Sequence, residues 1–373
     1  MHNHLLIIAS SARMLTQAAQ QAGFIPLVID LYADLDTRQL AFAWRQVASL
    51  HQRDIVPAVE FFLNHYPVTQ VVYGSGFEAF PESLVFLQQH LHLCGNTPDT
   101  FANITDKAFF FQILAKLNIP HPASVFSVPN GGNGWLSKPL RGQGGVGIKK
   151  WQEDGNTEDC YWQRQQSGIP HSVLFLADGH NSQVIGFNRQ WTVAIGTDAF
   201  VFAGVINQTE LSDRQKLLIG GWLAELVPAF DLKGLNSLDF LQDGEDLTVL
   251  EINPRPPASM QLYSGDLLPC HIHNHLANHY PPNCLASAYQ IVYAPCKLSI
   301  PATMQWPKEC VDMPATSVIC RKGQPICSII AHHKTAQSVC EQLQYLQHVI
   351  FEQLGVNDKA GRSMSSYPKC FYT

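Results

Sequence analysis

Thr248-Val249-Leu250-Glu251-Ile252-Asn253-Pro254-Arg255-Pro256-Pro257 is an apolar run that ends in a carboxylate, an amide, a proline and an arginine. It reads as a buried strand that reaches a polar site. Side chains alternate along a strand, so Glu251 and Asn253 leave the same face. Two oxygen donors side by side suit a hard cation such as Mg²⁺ or Mn²⁺, which also takes water and phosphate oxygens. Pro254 removes a backbone donor and ends the ladder, and Arg255 follows where the strand exits. A planar, permanent cation there could neutralise charge developing on a reacting phosphate or carboxylate.

The segment just before offers a third ligand. Ser237 to Leu241 reads as a strand, and Gln242 to Asp246 as a turn containing Asp243-Gly244. With those five residues as the loop, Leu241 pairs with Leu247, and Asp239 joins Glu251 and Asn253 on one face. A two-residue Asp-Gly turn would put Asp239 on the opposite face, because register has a period of two. One polar pair would describe an ordinary hairpin rim. Three oxygen ligands and an arginine argue for a site.

The stretch LDFLQDGEDLTVLEINPRPPAS resembles the metal-binding hairpin of the ATP-grasp superfamily, whose members activate carboxylates with ATP. The resemblance implies two nucleotide-binding lysines upstream. Asn103-Ile104-Thr105-Asp106-Lys107 opens a helix to about Leu117, capped by Thr105 or Asp106 and broken at Asn118-Ile119-Pro120-His121-Pro122. A lysine in a first helical turn is misplaced for the dipole unless an anion lies near. Asp-Lys, helix, then Ile-Pro-x-Pro is similar to the family segment carrying the first ATP-contacting lysine, which makes Lys107 that residue. Trp135 to Pro139 is a short strand bearing Lys138, followed by Arg141-Gly142-Gln143-Gly144-Gly145-Val146-Gly147.

Those glycines contain a Gly-x-Gly-x-x-Gly pattern, yet Ile148 to Trp151 continues as strand and Asp154-Gly155 turns. With no helix after the glycines, the dinucleotide reading fails. A glycine-rich hairpin tip offers unobstructed amides that can close over phosphates. Lys-Pro before such a loop is the second resemblance to the family, and it assigns Lys138, Gly142, Gly144, Gly145 and Gly147 to ATP. Tyr161 to Gly168 then corresponds to the hinge that reads adenine, often with a glutamate; here Gln163 or Arg164 stands in that place. Arg189, in Asn188-Arg189-Gln190-Trp191, is a candidate for a phosphate or substrate carboxylate, with a surface arginine at a strand end as the equal alternative.

The N-terminal residues alternate in type. Leu5 to Ala9 is a strand, Ser10-Ser11 a helix cap, Met14 to Gln21 a helix ended by Gly23, and Ile25 to Ile29 a second strand. Helices at Thr37 to Leu50 and Asp54 to Asn64 precede a strand at Gln70 to Tyr73. This order implies a parallel, Rossmann-like sheet with a crevice at its strand ends. Two loops face that crevice. Arg13, behind Ser10-Ser11-Ala12, could hold an anion at a helix N-terminus. Ser75 and Glu78, in Gly74-Ser75-Gly76-Phe77-Glu78, could meet a ligand, the carboxylate holding an amine. Capping and a tight turn are the bland alternatives.

Downstream, Leu211 to Phe230 is a helix with Leu217, Leu218, Leu223 and Leu226 expected in the core. Short strands follow at Tyr289 to Tyr293, Ser317 to Cys320 and Pro325 to Ile330, then a helix at Ala336 to Gln353. The tail with Lys369-Cys370 has no periodic pattern. His271, His273, His275 and His279 lack a Cys partner or His-Glu-x-x-His spacing, so exposed or helix-face histidines are expected rather than zinc ligands.

A chain of 373 residues, 46% hydrophobic and 14% charged, can bury a substantial core in two or three domains. A formal charge of -6 without a long Lys/Arg run excludes a nucleic-acid track. The ten cysteines form no Cys-x-x-Cys pair, no apolar stretch approaches a membrane span, and no signal peptide is evident, so a reduced, cytoplasmic setting is expected.

Taken together, the resemblance implies an α/β and α+β multidomain chain: an N-terminal pre-ATP-grasp domain over residues 1–97, a two-lobed ATP-grasp core over 98–280, and a C-terminal β extension over 281–373. It further implies an ATP- and Mg²⁺-dependent ligase joining a small carboxylate to an amine through an acyl phosphate, with Arg255 steadying the tetrahedral intermediate. The Gly-Ser-Gly-Phe-Glu loop and Gly323-Gln324-Pro325-Ile326-Cys327-Ser328 are similar to a branch described as carboligases related to biotin carboxylase, some of them connected with one-carbon cofactors. Bicarbonate activation and a catalytically silent ATP sensor are the alternatives. A homo-oligomer is compatible with the sequence.

Overall fold

The computed structural model describes residues 3–129, 133–151, 158–277 and 284–356. The Asp154-Gly155 turn, His279 and the Lys369-Cys370 tail lie outside these residues.

The N-terminal part is a five-stranded parallel sheet in the order Ala43–Gln46, Ile25–Asp30, His4–Ala9, Gln70–Tyr73, His92–Cys94. The apolar runs Leu5 to Ala9 and Leu27 to Ile29 are fully buried, as strands covered on both faces must be. Strand order reverses between His4–Ala9 and Gln70–Tyr73, so the loops after these two strands border one crevice.

Two local expectations are overturned. Thr37 to Leu50 is not one helix: a six-residue helix, Leu35–Leu40, gives way to the strand Ala43–Gln46. Pairing of that strand with Leu27 to Asp30 overrides the helical pattern. Nor do Ser10-Ser11 cap the next helix, which runs from Arg13 to Gln21 without a side-chain cap. The Ala12 amide donates instead to Asp30 Oδ2 at 2.7 Å, so the neighbouring strand supplies the acceptor.

The helix Lys107–Lys116 starts behind Asp106, whose carboxylate accepts from the Phe109 amide at 3.0 Å. A small antiparallel sheet follows, in the order Ser124–Val125, Cys160–Arg164, Trp135–Pro139, Lys149–Lys150. The large sheet has eight strands, starting with Asp246–Asn253, Lys233–Asp243, Ile169–Asp178, Ser182–Ile195 and Asp198–Ile206. It continues without interruption into Ala286–Tyr293, Pro325–His333 and Cys310–Val311. The C-terminal strands are thus hydrogen-bonded to the central ones, and the helix Ala336–Gln353 packs on them.

The helix Asp213–Phe230 covers the sheet with Ile219, Leu223, Leu226 and Phe230. Leu217 and Leu218 face away, 78% and 47% exposed, against the expectation that they join the core. Their neighbour Ile219 takes the sheet-facing position, so the apolar stripe is rotated by one residue. His271 is fully buried in the helix Leu267–His273, its Nδ1 accepting from the Leu235 amide at 2.9 Å, while His273 and His275 are exposed. Among the described residues no cluster of His, Cys, Asp and Glu forms a closed metal site.

Candidate active site

The polar hairpin reaches its face by an unexpected register. Asp243 pairs with Asp246 and Leu241 with Thr248, so Gly244-Glu245 is a two-residue turn and the Leu241–Leu247 pairing does not form. Gly244 sits at φ +60°, the left-handed conformation such a turn needs at its first position. That register alone would send Asp239 to the wrong face. A bulge between Asp239 and Phe240 takes up one residue of the opposite strand and sets Asp239 directly across from Glu251. Ser237 faces Asn253 in the same way.

Hydrogen bonds fix these groups. Asn253 Nδ2 donates to Asp239 Oδ2 at 3.1 Å and to Ser237 Oγ at 3.2 Å. Gln190 Nε2, from the central strand, reaches Asp239 Oδ1 at 3.4 Å. Lys107 Nζ lies 3.4 Å from Glu251 Oε2. Lys138 Nζ donates to Gln163 Oε1 at 2.8 Å, and Gln163 Nε2 donates on to Ser124 Oγ at 3.1 Å. Arg255 Nη2 donates to Asn253 Oδ1 at 3.3 Å, and Arg255 Nε to Glu78 Oε1 at 2.6 Å. Glu78 Oε2 accepts from the Gly76 amide at 2.9 Å.

The electrostatics follow from burial and proximity. Burial raises the Asp239 carboxyl, and the charge of Glu251 raises it further, to about 7, despite hydrogen bonds from Asn253 and Gln190. Burial also works against the charge of Glu251, but Lys107, Lys138 and Arg255 outweigh it and hold its pKa below the ordinary value. Lys138 is pulled down to about 8 by burial, with Glu251 opposing and Lys107 adding to the fall. Two carboxylates in register, one raised by burial and then by the other's charge, form a site that a divalent cation would relieve. The donors are all oxygen, which fits Mg²⁺ or Mn²⁺, and Asp239, Glu251 and Asn253 are the residues that could hold such an ion.

The glycine loop borders this group at Gly142 and runs on to the strand Asp198–Ile206. Gly144, Gly145 and Gly147 have φ of +60°, +73° and +79°. Gly144 O accepts from the Phe202 amide at 2.8 Å, and Ile148 O from the Ala199 amide at 3.1 Å, which hold the loop against the strand Asp198–Ile206. A Cβ on Gly145 would meet Phe200 O at 1.9 Å, so only glycine permits this approach. The space left between Lys107, Gly142, Glu251, Asn253 and Glu78 is a cavity of about 10 Å³, about one water's worth.

Other candidates lie elsewhere. Arg164 turns outward, over the Trp135 ring at 4.5 Å and onto Asn133 O at 2.9 Å, because strand alternation sends Gln163 and Arg164 to opposite faces. Arg189 precedes Gln190 in the same strand, so alternation puts it on the face away from Asp239. Arg13 is 2% exposed and bonded to Asp312 at 3.0 Å and Gln261 at 2.6 Å, which ties its guanidinium to a carboxylate and an amide instead of leaving it open to an anion. Ser75 borders the crevice, its carbonyl accepting from the Ser10 amide at 2.8 Å. Glu78 is paired with Arg255 and so is not an open amine holder. Gln190 and Ser237 are additions that sequence reading did not supply. Ser237 was two residues before Asp239, on its face, which was the available signal.

Residues 104–259 match the family model of the ATP-grasp domain. The chain carries an ATP-grasp domain. The match spans both lysines, the glycine loop and the hairpin through Arg255. No curated protein sequence matches the chain. Among solved structures, N5-carboxyaminoimidazole ribonucleotide synthetase from Thermotoga maritima is similar over 93% of this chain and 98% of its own, at 15% identity and a TM-score of 0.68. L-amino acid ligase from Bacillus licheniformis covers 93% and 98%, at 14% identity and a TM-score of 0.69. The biotin carboxylase domain of Hydrogenobacter thermophilus 2-oxoglutarate carboxylase, solved with MgADP and bicarbonate, covers 98% and 97%, at 12% identity and a TM-score of 0.74. At these identities the likeness is one of fold, and it extends across the ATP-grasp domain into the N- and C-terminal parts.

Proposed function

We propose that this chain is an ATP-dependent ligase that joins a small carboxylic acid to an amine through an acyl phosphate. The observation that carries the reading is the convergence of Lys107, Lys138 and Arg255 on the Asp239–Glu251–Asn253 face. Three cations around a paired-carboxylate site suit a triphosphate held with a divalent metal, and phosphoryl transfer depends on positioning and charge. Lys107 and Lys138 offset phosphate charge, and Asp239, Glu251 and Asn253 hold the metal, which supplies further charge neutralisation when bound. The division into domains at residues 97 and 280 belongs to the same proposal.

In the reaction, a carboxylate oxygen of the acid attacks the γ-phosphorus, the bond to the β-phosphate oxygen breaks, and ADP leaves. The amine then attacks the acyl carbon, the C–O bond to phosphate breaks, and the amine gives up a proton. Arg255 faces the oxyanion formed in that second step, with Nε held by Glu78. The glycine loop excludes water that would hydrolyse the acyl phosphate. A bicarbonate-activating reading uses the same groups, and the carboxylating enzymes among the similar structures favour keeping it as the second.

A matrix of acids against amines, followed by ADP release and mass detection of products, tests the proposal. ADP and phosphate should form only where both partners are present, together with the joined product. Bicarbonate as the sole acid that supports ADP release would select the second reading, and AMP with pyrophosphate would exclude both.

A further inference from the structure

Pro254 is buried and lies past the last rung of the polar hairpin, whose pairing ends at Ser237 with Asn253. Its carbonyl has no ladder partner, and a buried carbonyl needs a donor. Two side chains from the N-terminal part supply one each. Asn96 Nδ2 lies 3.0 Å from Pro254 O and Tyr73 Oη 3.1 Å from it, and both residues are fully buried. Burial, and then the charge of Glu78, raise the Tyr73 hydroxyl above its ordinary value, so it stays protonated and a donor.

The two donors are themselves held. Asn96 Nδ2 also donates to Asn236 Oδ1 at 2.7 Å, and Asn96 Oδ1 accepts from the Lys233 amide at 2.7 Å. A backbone amide only donates, which settles that the oxygen of Asn96 faces Lys233 and its nitrogen faces Pro254. Tyr73 Oη is also 3.0 Å from Asn96 O, so phenol and amide brace one another. Gly95 seats Asn96 at φ +87°, where a Cβ would meet His271 Cε1 at 2.4 Å. Tyr73 stands just before the loop that carries Glu78. Successive residues of the hairpin exit are thus gripped from one strand and its loop, the Pro254 carbonyl by Tyr73 and Arg255 Nε by Glu78 at 2.6 Å. The Pro254 carbonyl and the Arg255 nitrogen share one peptide plane, so fixing that oxygen fixes the plane from which the Arg255 side chain departs.

We propose that Asn96 and Tyr73 are positioning residues for Arg255: by holding the Pro254–Arg255 peptide they aim the guanidinium between Glu78 and Asn253. The inference rests on the part given to Arg255 in the ligase reaction proposed above. If the same contacts served only to cement the N-terminal part to the core, their loss would lower stability and leave the turnover of each folded molecule unchanged.

Tyr73→Phe and Asn96→Ser, each alone and combined with Arg255→Lys, test this on the full chain. The readouts are steady-state ADP release, ATP titration, and the NMR resonance of the Arg255 Nε–H, identified by its loss in Arg255→Lys. Turnover should fall about tenfold in Tyr73→Phe and about a hundredfold in Asn96→Ser, with ATP affinity kept within about twofold. In the Arg255→Lys background the same substitutions should cost only about twofold more, since the group they aim is gone. The Nε–H should shift in both single variants and exchange with water about tenfold faster or more. Unchanged turnover in both, or losses that multiply in full with that of Arg255→Lys, would overturn the proposal. If the wild type turns over no acid–amine pair, the ligase reading fails and the resonance decides alone: a shifted, faster-exchanging Nε–H upholds the positioning, and an unmoved one overturns it. Should Asn96→Ser not fold, Tyr73→Phe, which loses only a hydroxyl, carries the same test.

Discussion

Arg255 Nε donates to Glu78 Oε1 at 2.6 Å, and only 10% and 9% of the two side chains are exposed. The arginine leaves the polar hairpin, while the glutamate comes from the crevice of the N-terminal sheet. The pair makes the two parts of the chain one site and fixes one edge of the guanidinium. Breaking a buried pair from one side leaves an uncompensated charge, at about 3–5 kcal/mol. Glu78→Ala should therefore lower stability by that order, while Glu78→Gln, which keeps an acceptor oxygen, should lose less stability but much of its turnover. Chemical denaturation and steady-state ADP release measure the two effects. Normal turnover in Glu78→Gln would detach the pair from catalysis.

Arg255→Lys should impair turnover far more than ATP affinity, because lysine keeps a charge but loses the fork that bonds Glu78 and Asn253 together. Turnover and nucleotide titration on the same variant separate these. A large loss of ATP affinity with turnover intact would reassign Arg255 to ground-state nucleotide binding.

Glu251→Gln should cut phosphoryl transfer by about 10²–10³ or more with little loss of fold, since shape is kept and charge is removed. Asn253→Asp keeps an oxygen ligand and should retain part of the activity. Ordinary activity of Glu251→Gln at ordinary Mg²⁺ would reject the metal assignment.

The raised Asp239 carboxyl gives metal affinity a pH dependence. Its proton must leave before a cation can take the oxygen, so apparent Mg²⁺ affinity should fall as pH drops through about 7. Titration of Mg²⁺ dependence from pH 6 to pH 8 reads this. In Asp239→Asn the dependence should vanish along with most of the affinity, and a flat wild-type profile would contradict it.

A second acidic group makes a stability prediction. Burial, with Asp312, Asp30 and Asp36 nearby, raises Asp34 to about 8 in the cleft where Arg13 binds Asp312. An acid whose folded pKa lies above its unfolded value contributes stability below the unfolded pKa and loses it as pH rises to the folded one. The thermal midpoint of Asp34→Asn minus that of wild type should therefore grow between pH 4 and pH 8 and level off above. A constant difference across that range would contradict it.

Much of this architecture was legible because its signals were local. The apolar run Leu5 to Ala9, Pro-bracketed helices and the Lys-Pro-glycine loop each specify one element within a few residues. The hairpin shows where that stops. Its turn was misread, yet Asp239 still faces Glu251, because a bulge compensates and no residue pattern announced the bulge. The edge strand Ala43–Gln46 depended on pairing with a distant neighbour. Arg13, Arg164 and Arg189 looked equivalent to Arg255 as cations, and only tertiary partners separated them: Asp312 and Gln261 for Arg13, Trp135 for Arg164, and strand alternation for Arg189.

The central claim is that Lys107, Lys138 and the hairpin carboxylates together hold a metal-bound nucleotide triphosphate under the glycine loop. Calorimetric titration of ATP with and without Mg²⁺, on wild type, Lys138→Met, Glu251→Gln and Gly145→Ala, tests it most directly. The wild type should bind ATP with Mg²⁺-dependent affinity, and Lys138→Met should lose most of it. Glu251→Gln should lose the Mg²⁺ dependence, and Gly145→Ala, whose Cβ cannot pass Phe200, should bind weakly because the loop no longer closes. Mg²⁺-independent binding that none of the three substitutions alters would place the nucleotide elsewhere and contradict the account.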